Sequence, residues 1–334
     1  MKSVETTNRT IFAKINIRQF FSNYILESIL LLISIFIAIT APGFLTTSNL
    51  LNILKNISMQ GVIAFGMTMV IIAGEIDLSV GSMVGLTGVI VALTAGKLAD
   101  AGIMPLQYSV VVGIILAFIV AAFVGFINGW LLTTFRMPSF IITLAMLNAL
   151  YGAAAIISKG FPVTTLPLWY SVLGAGQIFS IPVPAVILVL VFVVVSVIMN
   201  NTKFGRAVYA VGGNAEAARL SGVDVRKVKI TVMMIVQILA ALGGILVSSQ
   251  VMAGSSTFGR GWELNVIAAV IIGGASLFGG IGKVWGTFIG LVFIGILVNG
   301  MTLLNINEYV QYIVKGLLIL VAVLINNLQT QKRE

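Results

Sequence analysis

The chain has neither cysteine nor histidine among its 334 residues, and only 9% of them are charged. Without cysteine there are no disulfides and no thiol chemistry. Without histidine, zinc sites of the usual kind and imidazole acid–base catalysis are excluded as well. A soluble domain carries roughly 25% charged residues, so the shortage of charge rules out that class too. What is present instead is apolar: 59% of the residues are hydrophobic, and 35 glycines suit helices that approach one another closely in lipid. The composition is that of a polytopic membrane protein. The net charge of +9 is assigned to the bias of basic residues toward the cytoplasmic side, not to nucleic acid.

Apolar stretches of membrane-crossing length, about 20 residues per helix, are expected near 26–41, 49–73, 78–96, 108–134, 138–157, 180–200, 229–252, 265–279, 285–303 and 309–327. The expected fold is an all-α polytopic membrane protein with about ten transmembrane helices, some of them broken, and both termini cytoplasmic. Residues 1–25 carry Lys2, Arg9, Lys14 and Arg18 against one acid, Glu5, with no small-residue cleavage site, so they read as a retained cytoplasmic tail. Residues 26–328 form a single transmembrane domain, and 329–334 a second cytoplasmic tail. With this topology fourteen basic residues lie inside, and only Lys55, Lys97, Lys159 and Arg260 lie outside. That is the asymmetry of a positive-inside protein. The segment 158–179 is too rich in proline and polar residues to cross; its Trp169 and Tyr170 are expected at the membrane interface or in a partner contact.

Three polar stretches interrupt the hydrocarbon. The loop 201–229 holds six Lys/Arg residues. In it Gly212-Gly213 break the chain, Asn214 can cap a new helix, Glu216 sits in the first turn, and Ser221-Gly222 supply a stop. The helix between, Ala215 to Leu220, is too short to persist alone and needs its own loop or a docking partner. At 74–82, Glu75 and Asp77 lie between long apolar spans, where charge is costly unless paired or wet. Asp77 and Ser79 read either as an N-cap for the next span or as part of a translocation path or gate. At 254–263, Arg260 and Glu263 are three residues apart and can pair at a helix start on the outer side, or serve a ligand. Lys315, about 10 Å into its span at 1.5 Å per residue, either snorkels to the interface or faces a cavity. Asn128, Asn148 and Asn299 lie near or inside spans; each can line a path for a hydroxylated solute or bond a neighbouring helix.

Weaker patterns complete the inventory. Gly81/Gly85, Gly125/Gly129 and Gly286/Gly290 are close-packing pairs, within the chain or between chains. Val70–Gly74 is echoed by Val270–Gly274, 200 residues later, and both copies run into a glycine-rich break, as in a duplicated half. No phosphate-binding loop is present: Gly279–Val284 lacks both the first glycine and the Ser/Thr after Lys283. Energy for active transport would come from another chain or from an ion gradient.

Gly74-x-Ile-Asp-Leu-Ser-Val-Gly-Ser82 and Phe204-Gly-Arg…Gly212-Gly-Asn…Ala217-Ala-Arg-x-Ser-Gly-Val223 resemble the permease subunits of ribose-type ABC sugar importers. Ala268–Gly274 and Val314-Lys315 are similar as well, and the likeness runs from about residue 30 to 327. Glu75 departs from the pattern, which usually has a small residue there. The resemblance implies a multi-pass subunit of the bacterial inner membrane with no cofactor of its own. It also implies a second copy or close paralogue, a cytoplasmic ABC ATPase that holds ATP and magnesium, and an extracytoplasmic sugar-binding protein. It further implies that the short helix of the 201–229 loop sits in a groove of the ATPase. Gly205 and Arg206 would lead in, Gly212 and Gly213 set the turn, and Asn214, Glu216, Ala218, Arg219 and Gly222 form the contact. Candidates for the path or gate are Glu75, Asp77, Ser79, Asn128 and Asn299. An ion-gradient carrier of a small polar solute is the alternative, with Glu75, Asp77 and Lys315 as its deep charges. A membrane enzyme lacks a clustered polar site.

Overall fold

The computed structural model describes residues 25–331; most of the N-terminal tail and residues 332–334 lie outside them. The described chain is helical almost throughout. α1 (Ile25–Thr40), α2 (Thr47–Ile72), α3 (Val80–Asp100), α4 (Leu106–Thr134) and α5 (Ser139–Ile157) are followed by a one-turn α6 (Val172–Ala175) and α7 (Val183–Asn201). A small hairpin, β1 (Gln177–Ile178) with β2 (Ile181–Pro182), joins the last two. Two short helices, α8 (Lys203–Gly213) and α9 (Ala215–Leu220), precede α10 (Val225–Val251), α11 (Trp262–Ile272), α12 (Val284–Leu303) and α13 (Glu308–Gln331). Seven of these helices are long and apolar enough to cross a bilayer: α2, α3, α4, α5, α7, α10 and α12.

α2 is the central helix, and every residue from 61 to 73 is buried. It packs against α7, α10, α11 and α12, while α4 closes on α10 and α3. The α4–α10 contact is made by the glycine pair. A Cβ at Gly125 would sit 2.5 Å from the Met233 carbonyl oxygen, and one at Gly129 would sit 2.6 Å from the Ile230 Cα. The other two glycine pairs also pack inside the chain. The outer helices turn apolar side chains outward, among them Ile115, Ile119 and Phe123 of α4 and Leu190 and Val193 of α7. Exposed apolar surface of this extent is what a bilayer covers.

The two echoed breaks have the same backbone geometry. After α2, Gly74 (φ +81°) donates to Ile71 O and Glu75 N donates to Val70 O. After α11, Gly274 (φ +87°) donates to Ile271 O and Ala275 N donates to Val270 O. Positive φ at the glycine lets the carbonyls at the helix end find donors as the chain turns away. The breaks meet, since Gly280 N donates to Ile72 O at 2.8 Å. Both helices therefore end on the same side of the bundle.

One expectation needs correction. Tyr170 is not at the interface: it is fully buried, and its hydroxyl bonds Ser248 Oγ at 2.6 Å and Ile245 O at 3.2 Å. Only its neighbour Trp169 is exposed, with its indole N–H donating to Gln107 O. The polar break at 254–263 packs against α3. After α10 ends in a left-handed Met252, the chain runs back along α3, with Gly85 beside Ser256 O and Gly81 beside Gly259 O. α11 thus begins inside the bundle and has only 11 residues, about 16 Å at 1.5 Å each.

Candidate functional site

The short helix of the polar loop forms as its residues demand. Thr202 accepts the Gly205 N–H to start α8, and Asn214 accepts the Ala217 N–H at 2.9 Å to start α9. Gly222, at φ +85°, closes α9, with Val223 N donating to Ala218 O. Ala218 is the buried residue of α9, whereas Glu216 and Arg219 are exposed. Arg219 donates twice to Glu216, at 3.0 and 2.6 Å, and these hydrogen bonds hold the Glu216 carboxyl below the ordinary carboxylate range.

α8 rests on both helix breaks. Gly212 lies so close to the Ile72 carbonyl and the Gly280 amide that a Cβ would overlap them, and Tyr209 donates to Gly282 O at 2.9 Å. Gly205 packs on the Met199 carbonyl, Arg206 fronts a groove with Lys283 and Trp285, and Gly213 faces open space. α8 thus touches both the end of α2, at Ile72, and the loop that follows α11, at Gly280 and Gly282.

Beside α9, Lys229 donates to Glu75 at 2.5 Å across 154 residues of sequence. The pair lines a cleft of about 590 Å³ that also holds Arg136, Arg219, Asp224 and Arg226. Deeper in, Asp77 Oδ1 accepts from Ser79 N (2.8 Å) and Ser79 Oγ (2.6 Å), and Oδ2 accepts from Gln237 Nε2 (2.7 Å) and Asn128 Nδ2 (3.4 Å). Ser79 occupies the N-cap position of α3 but makes no side-chain cap bond; its hydroxyl serves Asp77 instead. The capping expectation is thereby replaced by a buried polar knot that ties the 74–79 break to α4 and α10. Asp77, Ser79 and Asn128 are all at most 1% exposed, so none of the three lines a cleft. Among the described residues, the carbonyl oxygens of Asn128 and Gln237 have no partner.

A second cleft, of about 420 Å³, opens at the opposite end of α2. Asn49, Asn52, Asn56 and Gln60 place four amides along it at spacings of three and four, hence on one face of the helix. Asn265 of α11, Asn299 of α12 and Lys315 of α13 face them. Asn49 and Asn299 exchange hydrogen bonds at 2.9 and 2.8 Å. Lys315 is thus cavity-facing, with its ammonium 4.6 Å from the Tyr312 ring centre. Arg260 lies 5.9 Å from the Tyr151 ring centre, and the expected Arg260–Glu263 ion pair is not among the three formed by described residues.

Residues 49–323 match the family described as the branched-chain amino acid transport system permease component. The chain belongs to this family. The permease is 42% identical to the ribose import permease protein RbsC of Bacillus subtilis (strain 168), over 89% of this chain and 90% of that one. It is 38% identical to RbsC of Escherichia coli (strain K12), over 90% and 92%, and 34% identical to the L-arabinose transport system permease protein AraH of the same strain, over 86% and 85%. No solved structure matches significantly.

Within the permease, two partners carried no motif. Lys229 is one of several basic residues, and Gln237 sits unremarked in an apolar span. The signal of the amide row is its spacing, which becomes readable once 47–72 is a single helix.

Proposed function

We propose that this chain is the membrane-spanning subunit of an ATP-driven, binding-protein-dependent importer of a monosaccharide or a related small polyhydroxylated solute. It works with a second copy or close paralogue in the bacterial inner membrane. The observation that carries this reading is the seat of α8 on both helix breaks, with α9 projecting beyond it. A push on α9 from a cytoplasmic ATPase would reach Gly74 and Gly274 at once, and so bias the two halves of the bundle. Gly205, Arg206, Gly212 and Gly213 set the joint; Asn214, Glu216, Arg219 and Gly222 form its outer part, and the buried Ala218 seats α9 on the protein. Ten spans with both ends cytoplasmic put this joint inside, where the basic residues are densest. Glu75 and Asn299 front the clefts at the two ends of α2, whereas Asp77, Ser79 and Asn128 hold the break in shape. The kind of solute follows from the ribose and arabinose permeases it resembles. An ion-gradient carrier is not favoured by that kinship.

Arg219→Glu sets two acids three residues apart on an exposed helix and removes the cation offered to the partner. The variant is expected to insert and fold normally but to lose co-purification with the ATPase. Normal co-purification would count against α9 as the contact. Solute uptake driven by an ion gradient in liposomes that hold this chain alone would overturn the importer reading itself.

A further inference from the structure

The return of the 252–261 segment along α3 carries a guanidinium to an unexpected depth. Gly81, beside Gly259, is four residues from Asp77, whose carboxylate is reached by Gln237, twelve residues into α10. Tyr151, under Arg260, is likewise twelve residues into α5. At 1.5 Å per residue, Tyr151 lies about 18 Å along α5, and Gly81, three residues before the Val84 that abuts Gly244, is level with a point about 24 Å along α10; both put Arg260 inside a hydrocarbon layer about 30 Å thick.

At that depth Arg260 is exposed, and no described carboxylate lies within ion-pair distance of it. A guanidinium turned to lipid there carries a penalty of several kcal/mol. This face is therefore covered by water or protein. Its surroundings are those of a polar pocket: Ser82 of α3, Asn148 and Tyr151 of α5, and Phe258 and Glu263 line a hollow of about 130 Å³ with Arg260. At about 30 Å³ per water, that is room for roughly four waters, or for part of one small ring.

The chemistry of the lining selects a class of ligand. Arg260 supplies only donors and Glu263, when ionised, only acceptors, while Asn148 and Ser82 supply both. A sugar hydroxyl donates and accepts at once, so neighbouring hydroxyls on one ring can bridge such a pair. The Tyr151 and Phe258 rings offer apolar faces for the C–H side of the ring. We propose that this hollow is an intramembrane station for the transported solute. It takes one edge of an uncharged polyhydroxylated ring of monosaccharide size, with Arg260 and Glu263 as its hydrogen-bonding pair and Tyr151 as its platform. The proposal rests on the importer reading above.

The test uses the intact importer, with its ATPase and binding protein, in liposomes, and reads ribose uptake and ATP hydrolysis together. Arg260→Met and Glu263→Gln are each expected to lower solute moved per ATP about tenfold, the scale of one lost charged hydrogen bond. Binding-protein-stimulated hydrolysis should persist, because α8 and α9 are untouched. Arg260→Lys keeps the charge without the planar fork and should fall between. Native solute per ATP in the Met and Gln variants would overturn the station. So would dissociation of two permease copies caused by Arg260→Met, which would make Arg260 an interface contact. If Arg260→Met does not assemble, Tyr151→Leu decides: it removes the platform without touching charge, and an unchanged ratio contradicts the proposal. Absence of ATP-dependent uptake by the native complex would be a failure of the importer reading instead.

Discussion

Gly212→Val is expected to leave the permease folded and inserted while cutting ATP-driven uptake by at least about tenfold. The added side chain falls on the Ile72 carbonyl and the Gly280 amide, and backbone cannot yield as a flexible side chain can. Overpacking of this kind costs about 1–3 kcal/mol, and here α8 can relieve it by lifting away from the two breaks. Lifting α8 breaks the joint but spares the bundle, because the core is built on α2, α4 and α10. Size-exclusion elution should match that of the native protein and the loss of thermal stability should stay within the range of about 1–3 kcal/mol for local overpacking, while uptake by the reconstituted complex collapses. Native uptake would show that close contact of α8 with the breaks is not needed.

Asp77→Ala has the opposite signature. It strands the Ser79 N–H and hydroxyl donors in a site closed to water, and leaves the Asn128 and Gln237 amides only Ser79 Oγ to donate to. Each stranded buried group costs about 1–3 kcal/mol, so a loss of about 3 kcal/mol or more is expected, seen as aggregation or early melting in detergent. Asp77→Asn should be far milder. The amides of Asn128 and Gln237 can turn, bringing their unpartnered carbonyl oxygens to face the new N–H groups. Equal damage from both substitutions would mean that the negative charge, not hydrogen-bond supply, holds the knot.

The fold was largely legible because hydrocarbon runs of fixed length and basic flanks are one-dimensional signals. Ala215–Leu220 was readable to its ends, since Asn214 and Gly222 are local caps. What escaped was pairing across the chain. Lys229 and Glu75 are 154 residues apart, and Gln237 and Asp77 are 160 apart; no local pattern announces such contacts. The depth of Arg260 escaped for a related reason. The stretch reads only as a polar break on the outer side, whereas glycines at 81, 85 and 88 let backbone pack on backbone inside the bundle. Tyr170 was misplaced because an aromatic beside proline suits an interface as well as it suits the buried seat on Ser248 that it occupies.

The absence of native cysteine makes the most direct test of the joint simple. Glu216→Cys puts the chain's single thiol on the exposed face of α9, where a photoactivatable maleimide can be attached before the importer is assembled. Illumination of the intact, transport-competent complex is predicted to cross-link this position to the ATPase. Cross-links only to the binding protein, or none in a complex that still imports in an ATP-dependent way, would contradict the account.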